Sequence, residues 1–384
     1  MTATPRRVRL WLFRLATVLG ALVVGFLVAE GAVRLFPGLL NEKLQHAAFS
    51  RFDTLPGGIF QFEGITRSRF MRADHRTRAY SHGYFWTHET DRHGYRNPAG
   101  IDDHRVLLLG DSIVYGHGVE SDETTAHFLR TDHGVAAYDM SAQGQCIYDH
   151  YLALRLLLEE FRPETVLLFV YVNDINDLAS LGRAQGGPEF PEIASFDYEL
   201  LRDRIERLRI FREPLLTRIA FSSAIVRLTA KTRGWRPVRP PESKPPRDWR
   251  PQPVRVPHNR PKSVNAAGAV LDDSRFAPIE SYYDSILADV DQRCDRLGVR
   301  LVVVHLVPPS DKEWRGRDRA QVKLQRSLEV ICSRQGLELV DTREFFEGHT
   351  DWILPSDGHL NPEGNREFAE FLSREVLGQP SPFR

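Results

Sequence analysis

Val106-Leu107-Leu108-Leu109-Gly110-Asp111-Ser112 is the stretch whose reading decides how this chain folds. Four consecutive apolar residues without polar alternation predict a strand covered on both faces, as parallel strands inside α/β proteins are. Gly110 permits a tight turn, and Asp111-Ser112 then stand where the strand hands over to a helix. Ligands of open α/β sheets bind beyond the carboxyl ends of strands, so the Ser112 hydroxyl is displayed where sites form.

Four more apolar strand candidates follow, at 135–140, 165–171, 300–306 and 337–340. Between them lie helical candidates at 123–131, 148–161, 279–296 and 320–334, and a last helix at 362–376. In the 320–334 segment Val322, Leu324, Leu328 and Ile331 approximate an i, i+3/i+4, i+7 stripe. Strands alternating with helices of this length predict βαβ units, right-handed crossovers and a parallel sheet.

The residues after each strand carry the chemistry. Gly110-Asp111-Ser112 follows the first strand and Ser141-Ala142-Gln143-Gly144 the second. Asn173-Asp174-Ile175-Asn176-Asp177 follows the third, and Asp357-Gly358-His359-Leu360-Asn361-Pro362-Glu363-Gly364-Asn365 the fifth. A doubly wound sheet opens all four loops on one edge. In the last loop Asn361 is a good N-cap, Pro362 is preset for the first helical position, and Glu363 suits the positive helix end. That start pins His359 two residues ahead of it. Asp357 can then accept from one imidazole nitrogen and leave the other to take a proton from a serine, as in a Ser-His-Asp triad. An Asp-x-His taken by itself fits a metal pair or a turn cap equally well; behind Gly-Asp-Ser the triad reading gains weight.

These blocks resemble the SGNH (GDSL-type) hydrolase superfamily, whose Ser, Gly, Asn and His fall here on Ser112, Gly144, Asn173 and His359. The resemblance covers 105–171 and 282–377. It implies a flavodoxin-like three-layer sandwich, Ser112 as nucleophile, His359 as general base and then acid, and Asp357 as its orienter. It further implies an oxyanion hole from the N–H groups of Ser112 and Gly144 with the Asn173 side chain, and neither metal nor cofactor. The sequence departs from the family pattern at Tyr171, where glycine is frequent, and at Asp139, where asparagine is. The aspartate also stands two before the histidine, where many members have it three before, the place of Ser356 here. That spacing is similar to SGNH-like acyltransferases that acetylate exported polysaccharides, so either water or a sugar hydroxyl could be the acceptor. No Gly-x-Ser-x-Gly elbow of an ordinary α/β-hydrolase occurs.

The expected function is therefore that of a membrane-anchored serine hydrolase of carboxylic esters, with O-acyl transfer to cell-envelope polysaccharide as the alternative. A catalytically silent binding protein that keeps the fold is the reading from another class. The anchor is read from Trp11 to Ala29, apolar except for Arg14 and about as long as a bilayer core is thick. Arg6, Arg7, Arg9 and Arg14 favour a cytoplasmic amino terminus and an exported remainder, periplasmic or extracytoplasmic. A cleaved signal peptide competes, but Ala29-Glu30-Gly31 fits a cleavage site only loosely. The 51 basic and 51 acidic residues cancel, so no global field points to nucleic acid. Three scattered cysteines make no disulfide framework or zinc site, although one pair could bridge.

The division expected is an amino-terminal tail and anchor at 1–36, a β/loop-rich extension at 37–101, a hydrolase domain at 102–178 and 277–380, and an insertion at 179–276. The extension's His75, His82, His88 and His93 fit no zinc spacing and read as packed or solvated. Asp174, Asn176 and Asp177 read as loop-capping groups rather than calcium ligands. His305 fits either the pocket or the core, and Asp341 and His349 rival Asp357 and His359 as triad partners. In the insertion, 198–228 is helical in pattern with a break at Pro214. The following 233–262 is rich in proline and arginine and reads as extended and mobile, either a plain linker or a lid touching anionic headgroups.

Overall fold

The computed structural model describes residues 5–101, 103–175, 177–178, 196–235, 240–246, 273–309, 315–355 and 357–378. Asn176, Ser356 and most of the proline–arginine segment lie outside the described residues.

The chain opens with α1 (Pro5–Leu35), which is long and apolar enough to cross a membrane and keeps its apolar side chains exposed. A short α2 (Glu42–Phe49) follows, capped by the Asn41 side chain accepting from Leu44 N–H at 3.0 Å. The sequence showed no helical period here, because an eight-residue helix offers only two turns in which to display one. Two antiparallel hairpins complete the extension: β1 (Phe60–Phe62) with β2 (Arg69–Met71), and β3 (Arg76–Ser81) with β4 (Tyr84–Glu89).

The core runs β5 (Val106–Leu109), α3 (Thr125–Thr131), β6 (Ala137–Asp139), α4 (Ile147–Phe161) and β7 (Thr165–Val170). The insertion supplies α5 (Tyr198–Ile210), α6 (Leu215–Ser222) and α7 (Ala224–Thr232), and the break falls at Pro214 as expected. The core resumes with α8 (Asp273–Leu297), β8 (Arg300–His305), α9 (Arg315–Gln335), β9 (Glu338–Asp341), α10 (Arg343–Phe346) and α11 (Pro362–Phe371).

The five core strands form one parallel sheet in the order β6-β5-β7-β8-β9. This is the flavodoxin-like 2-1-3-4-5 arrangement, with its switch point between β5 and β7. Both faces are covered. Leu107, Leu109, Val166, Leu168 and Val303 pack into one apolar cluster with α4 and α8. Val106, Leu108, Leu167, Phe169, Val302 and Val304 pack into a second with α3 and α11. The unbroken apolar runs in the sequence reflect this double burial.

The insertion helices dock on the extension through ion pairs. Arg204 Nε on α5 reaches Glu63 Oε1 at 2.7 Å, and Arg227 on α7 reaches Asp53 at 2.6 Å. Part of the proline-rich stretch docks as well. Gly64 N–H donates to Glu242 C=O at 2.9 Å, and Arg204 donates to the Lys244 carbonyl at 2.9 Å. Residues 240–246 are thus held by backbone acceptors against the extension, contrary to the expected mobility.

Candidate active site

The switch point holds the first two loops of interest. Gly110 leaves β5 where any Cβ would meet Val114 at 2.5 Å and Phe169 at 3.3 Å, which fixes glycine at this turn. Asp111 is buried and braces the turn. Its Oδ1 accepts from Ile113 N–H at 3.0 Å, and its Oδ2 accepts from Asn173 Nδ2 at 2.9 Å across the switch point. Burial raises the Asp111 carboxyl above its usual range. Ser112 follows, with only 9% of its surface exposed.

The far end of the chain meets it. Ser112 Oγ lies 2.8 Å from His359 Nε2, and His359 Nδ1 lies 2.8 Å from Asp357 Oδ1. A carboxylate only accepts, so Nδ1 carries the ring proton and Nε2 is left to accept from the serine hydroxyl. The helix start that holds His359 forms as the sequence reading expected. Asn361 Oδ1 accepts from Gly364 N–H at 2.8 Å with Pro362 in the first turn. Asn365 ties that start to α3, accepting from Thr125 N–H at 3.2 Å and Thr125 Oγ1 at 2.9 Å.

Gly144 adopts φ +62°, and a Cβ there would lie 3.2 Å from Arg69 of the extension. Asn173 sits at the carboxyl end of β7 with its amide turned to Asp111. Beside it Asp174 is buried, with the Tyr171 backbone N–H favouring its charged form. Burial first, then the charges of Asp111 and Asp177, push its carboxyl well above the usual range, and burial raises Asp177 to about 7.

Two histidines that the sequence reading did not place in the site surround Asp357. His117 Nε2 lies 3.3 Å from Asp357 Oδ2, and its ring stacks on His359 with centroids 4.1 Å apart. Its Nδ1 faces the Gln143 amide, and Trp86 and Phe52 of the extension pack on the ring. Burial, then the nearby His359, lowers the His117 imidazole to about 4. His82, at the β3–β4 turn with φ +44°, brings Nδ1 to 3.7 Å from Asp357 Oδ1. Burial pushes the Asp357 carboxyl up, but contacts with His117 and His359 prevail and hold it well below its usual range. His82, His117 and Asp357 also bring three possible metal-ligand atoms within 4.8 Å of one another. Only the Gly-x-Gly run around His117 hinted at a close turn, and nothing local joined it to position 357.

The rival partners are engaged elsewhere. His305 is buried with Nδ1 3.2 Å from Asp341, and His349 stacks on Trp352 at 3.7 Å. Cys146, Cys294 and Cys332 are free and buried, so no pair bridges.

With this geometry in place, residues 108–367 match the model of the GDSL-like Lipase/Acylhydrolase family. The chain belongs to that family. Membership makes it an ester hydrolase of the SGNH/GDSL kind. Solved structures to which it is similar include that of TesA, at 13% identity and a TM-score of 0.37, covering 71% of this chain and 98% of that one. Another is the acetyl xylan esterase AlAXEase, at 15% identity and 0.38, again over 71% and 98%. A third is the psychrotrophic esterase EstA from Pseudoalteromonas sp., at 12% and 0.37, over 71% and 98%. No curated protein matches the chain.

Proposed function

We propose that this family member is a serine ester hydrolase anchored to a membrane by α1, with its remainder exported, working through an acyl-enzyme on Ser112. The observation that carries the reading is the continuous relay Ser112 Oγ, His359 Nε2, His359 Nδ1 and Asp357 Oδ1, with both links at 2.8 Å. His359 takes the hydroxyl proton as Ser112 Oγ bonds to the ester carbonyl carbon. It then gives that proton to the departing alkoxide as the C–O bond breaks. A water, deprotonated by the same imidazole, attacks the acyl-enzyme and releases the acid and the free serine. The negative oxygen of each tetrahedral intermediate falls to the Ser112 and Gly144 N–H groups and the Asn173 amide. One such donor is typically worth about 10²–10³ in rate, and general-base help about 10²–10⁴.

Transfer to a glycan hydroxyl is the second reading, favoured by the two-residue spacing of Asp357 and His359. Both readings leave 37–101 as an extension, 102–178 with 277–380 as the hydrolase domain, and 179–276 as an insertion. Turnover of a short aryl ester, measured with and without an added polysaccharide acceptor, tests them. Acid release that is abolished in Ser112→Ala supports hydrolysis, and acylated glycan in place of acid supports transfer. Undiminished turnover by Ser112→Ala would overturn both, and a folded protein with no turnover favours a binding role.

A further inference from the structure

The carboxyl end of α1 is bolted to the insertion. Glu30 Oε1 accepts from Ala224 N–H at 2.8 Å, and Oε2 accepts from Ser223 Oγ at 2.8 Å and Ile225 N–H at 3.1 Å. A carboxylate from one helix thereby caps the amino end of another, α7, where the positive end of the dipole receives it. Arg34 completes the joint by donating to the Ser222 carbonyl at 2.5 Å.

Ser222 is the last residue of α6, which buries only Phe221 among its side chains. Leu215, Leu216 and Ile219 are 66%, 80% and 58% exposed, and their i, i+1, i+4 spacing puts them on one face. Ile210 stands exposed before them, and Trp235 packs on Phe221 at 4.8 Å while keeping 43% of its surface open. Leu35, Phe36 and Leu39 extend the exposed apolar residues at the exit of α1 itself. Arg212, Arg218 and Arg233 are exposed in the same segment. An uncovered apolar face of this kind marks an interaction surface. Aromatic and aliphatic side chains with flanking arginines are the composition of a helix lying at a lipid interface.

The candidate site adjoins the same joint. Val33, Leu40, Phe49, Tyr80, Phe85, Ala224 and Leu228 form one apolar cluster, which packs the β3–β4 hairpin against α2, α7 and the end of α1. The turn of that hairpin carries His82, whose Nε2 lies 3.8 Å from Glu42 at the start of α2 and whose Nδ1 lies 3.7 Å from Asp357. Two side-chain contacts therefore separate the Asp357 carboxylate from the first helix after α1.

We infer that α6 is an interfacial helix that rests Leu215, Leu216 and Ile219 on the bilayer crossed by α1, holding the Ser112 site beside the lipid surface. The inference builds on the proposed anchor, and its occupant is the bilayer, continuous with α1. An ester lying at that surface meets the site without leaving the membrane.

The full chain in vesicles of phosphatidylethanolamine and phosphatidylglycerol tests it. Loss of the chain on carbonate washing would overturn the anchor itself. In washed vesicles that retain the chain, a fluorophore on Leu216→Cys should be quenched by nitroxide-bearing lipids, and one on Val330→Cys should not. Equal, weak quenching at both positions would overturn the interfacial seat while leaving the anchor intact. In the Leu215→Ser/Leu216→Ser/Ile219→Ser variant, the rate on a phospholipid-borne fluorogenic ester relative to a soluble aryl ester should fall at least about tenfold. An unchanged ratio would overturn the inference. The two cysteine substitutions, made beside three native cysteines that are all buried, keep the test decisive should the triple variant not fold.

Discussion

His117 lies flat against His359, ring centroids 4.1 Å apart at 20°, and turns its Nε2 to the Asp357 oxygen that His359 does not use. Both carboxylate oxygens are thus faced by imidazole. Asp357 only accepts, so His117 faces it with Nε2–H and accepts from the Gln143 amide N–H on Nδ1. With its imidazole lowered to about 4, His117 stays neutral at pH 7 and adds no charge against protonated His359.

His117→Phe keeps the ring stack and removes the N–H. We expect kcat to fall about threefold to tenfold, in line with the loss of one N–H that faces the carboxylate at 3.3 Å. The acid limb of the kcat/KM profile should move to higher pH, because an unshared Asp357 charge stabilises the protonated base more. His117→Gln, which can still donate to Asp357, should restore part of both. An unmoved limb with reduced kcat would reduce His117 to a packing residue.

Under the proposed mechanism, Asp357→Asn removes the acceptor that holds His359 in its working tautomer. Turnover of an aryl ester should drop on the order of 10³–10⁴ with little change in KM. A variant within about threefold of the parent would show that another group orients His359.

Asp139 is fully buried, and burial raises its carboxyl to about 7, against 3.8 for the free side chain. Its Oδ1 accepts from Ser141 N–H at 2.7 Å, and its Oδ2 has no described partner. The folded state therefore holds a proton that the unfolded chain has already lost between about pH 4 and 7. Stability falls with rising pH across that window, by at most ~1.4 kcal/mol per pH unit from this group. Asp139→Asn should match the parent near pH 4 and melt higher above pH 7. Parallel melting curves at both pH values would contradict the assignment.

Glu63 and Arg204 are both buried, and Glu63 also accepts from Ile65 N–H at 2.8 Å and Thr66 N–H at 2.7 Å. Arg204→Met leaves that carboxylate without its cation and should cost about 3–5 kcal/mol in chemical denaturation. Pairing it with Glu63→Gln should recover part of the loss. Additive losses would show that the two side chains are not coupled.

The core was legible because its signals are local. Val106–Leu109 and the run from Val166 to Val170 are apolar without interruption since both faces are covered, and Asn361-Pro362 announces its own helix start. The meeting of Ser112 with His359 was readable only by assuming a common sheet edge, since 247 positions separate them. His117 and His82 were not legible as site residues. Each stands in an aperiodic turn, and what gives it meaning is a contact with Asp357 made by folding. The insertion misled in another way: proline content implied neither irregularity nor freedom, since Pro241–Ser243 form a 3-10 turn and the Glu242 and Lys244 carbonyls are tied down by Arg204.

Fluorophosphonate labelling of the folded, full-length protein, read by peptide mass spectrometry, tests the central claim most directly. Covalent phosphonate on Ser112, lost in His359→Ala, is the result expected. A folded, ester-cleaving protein that carries the label on another residue, or none at all, would contradict it.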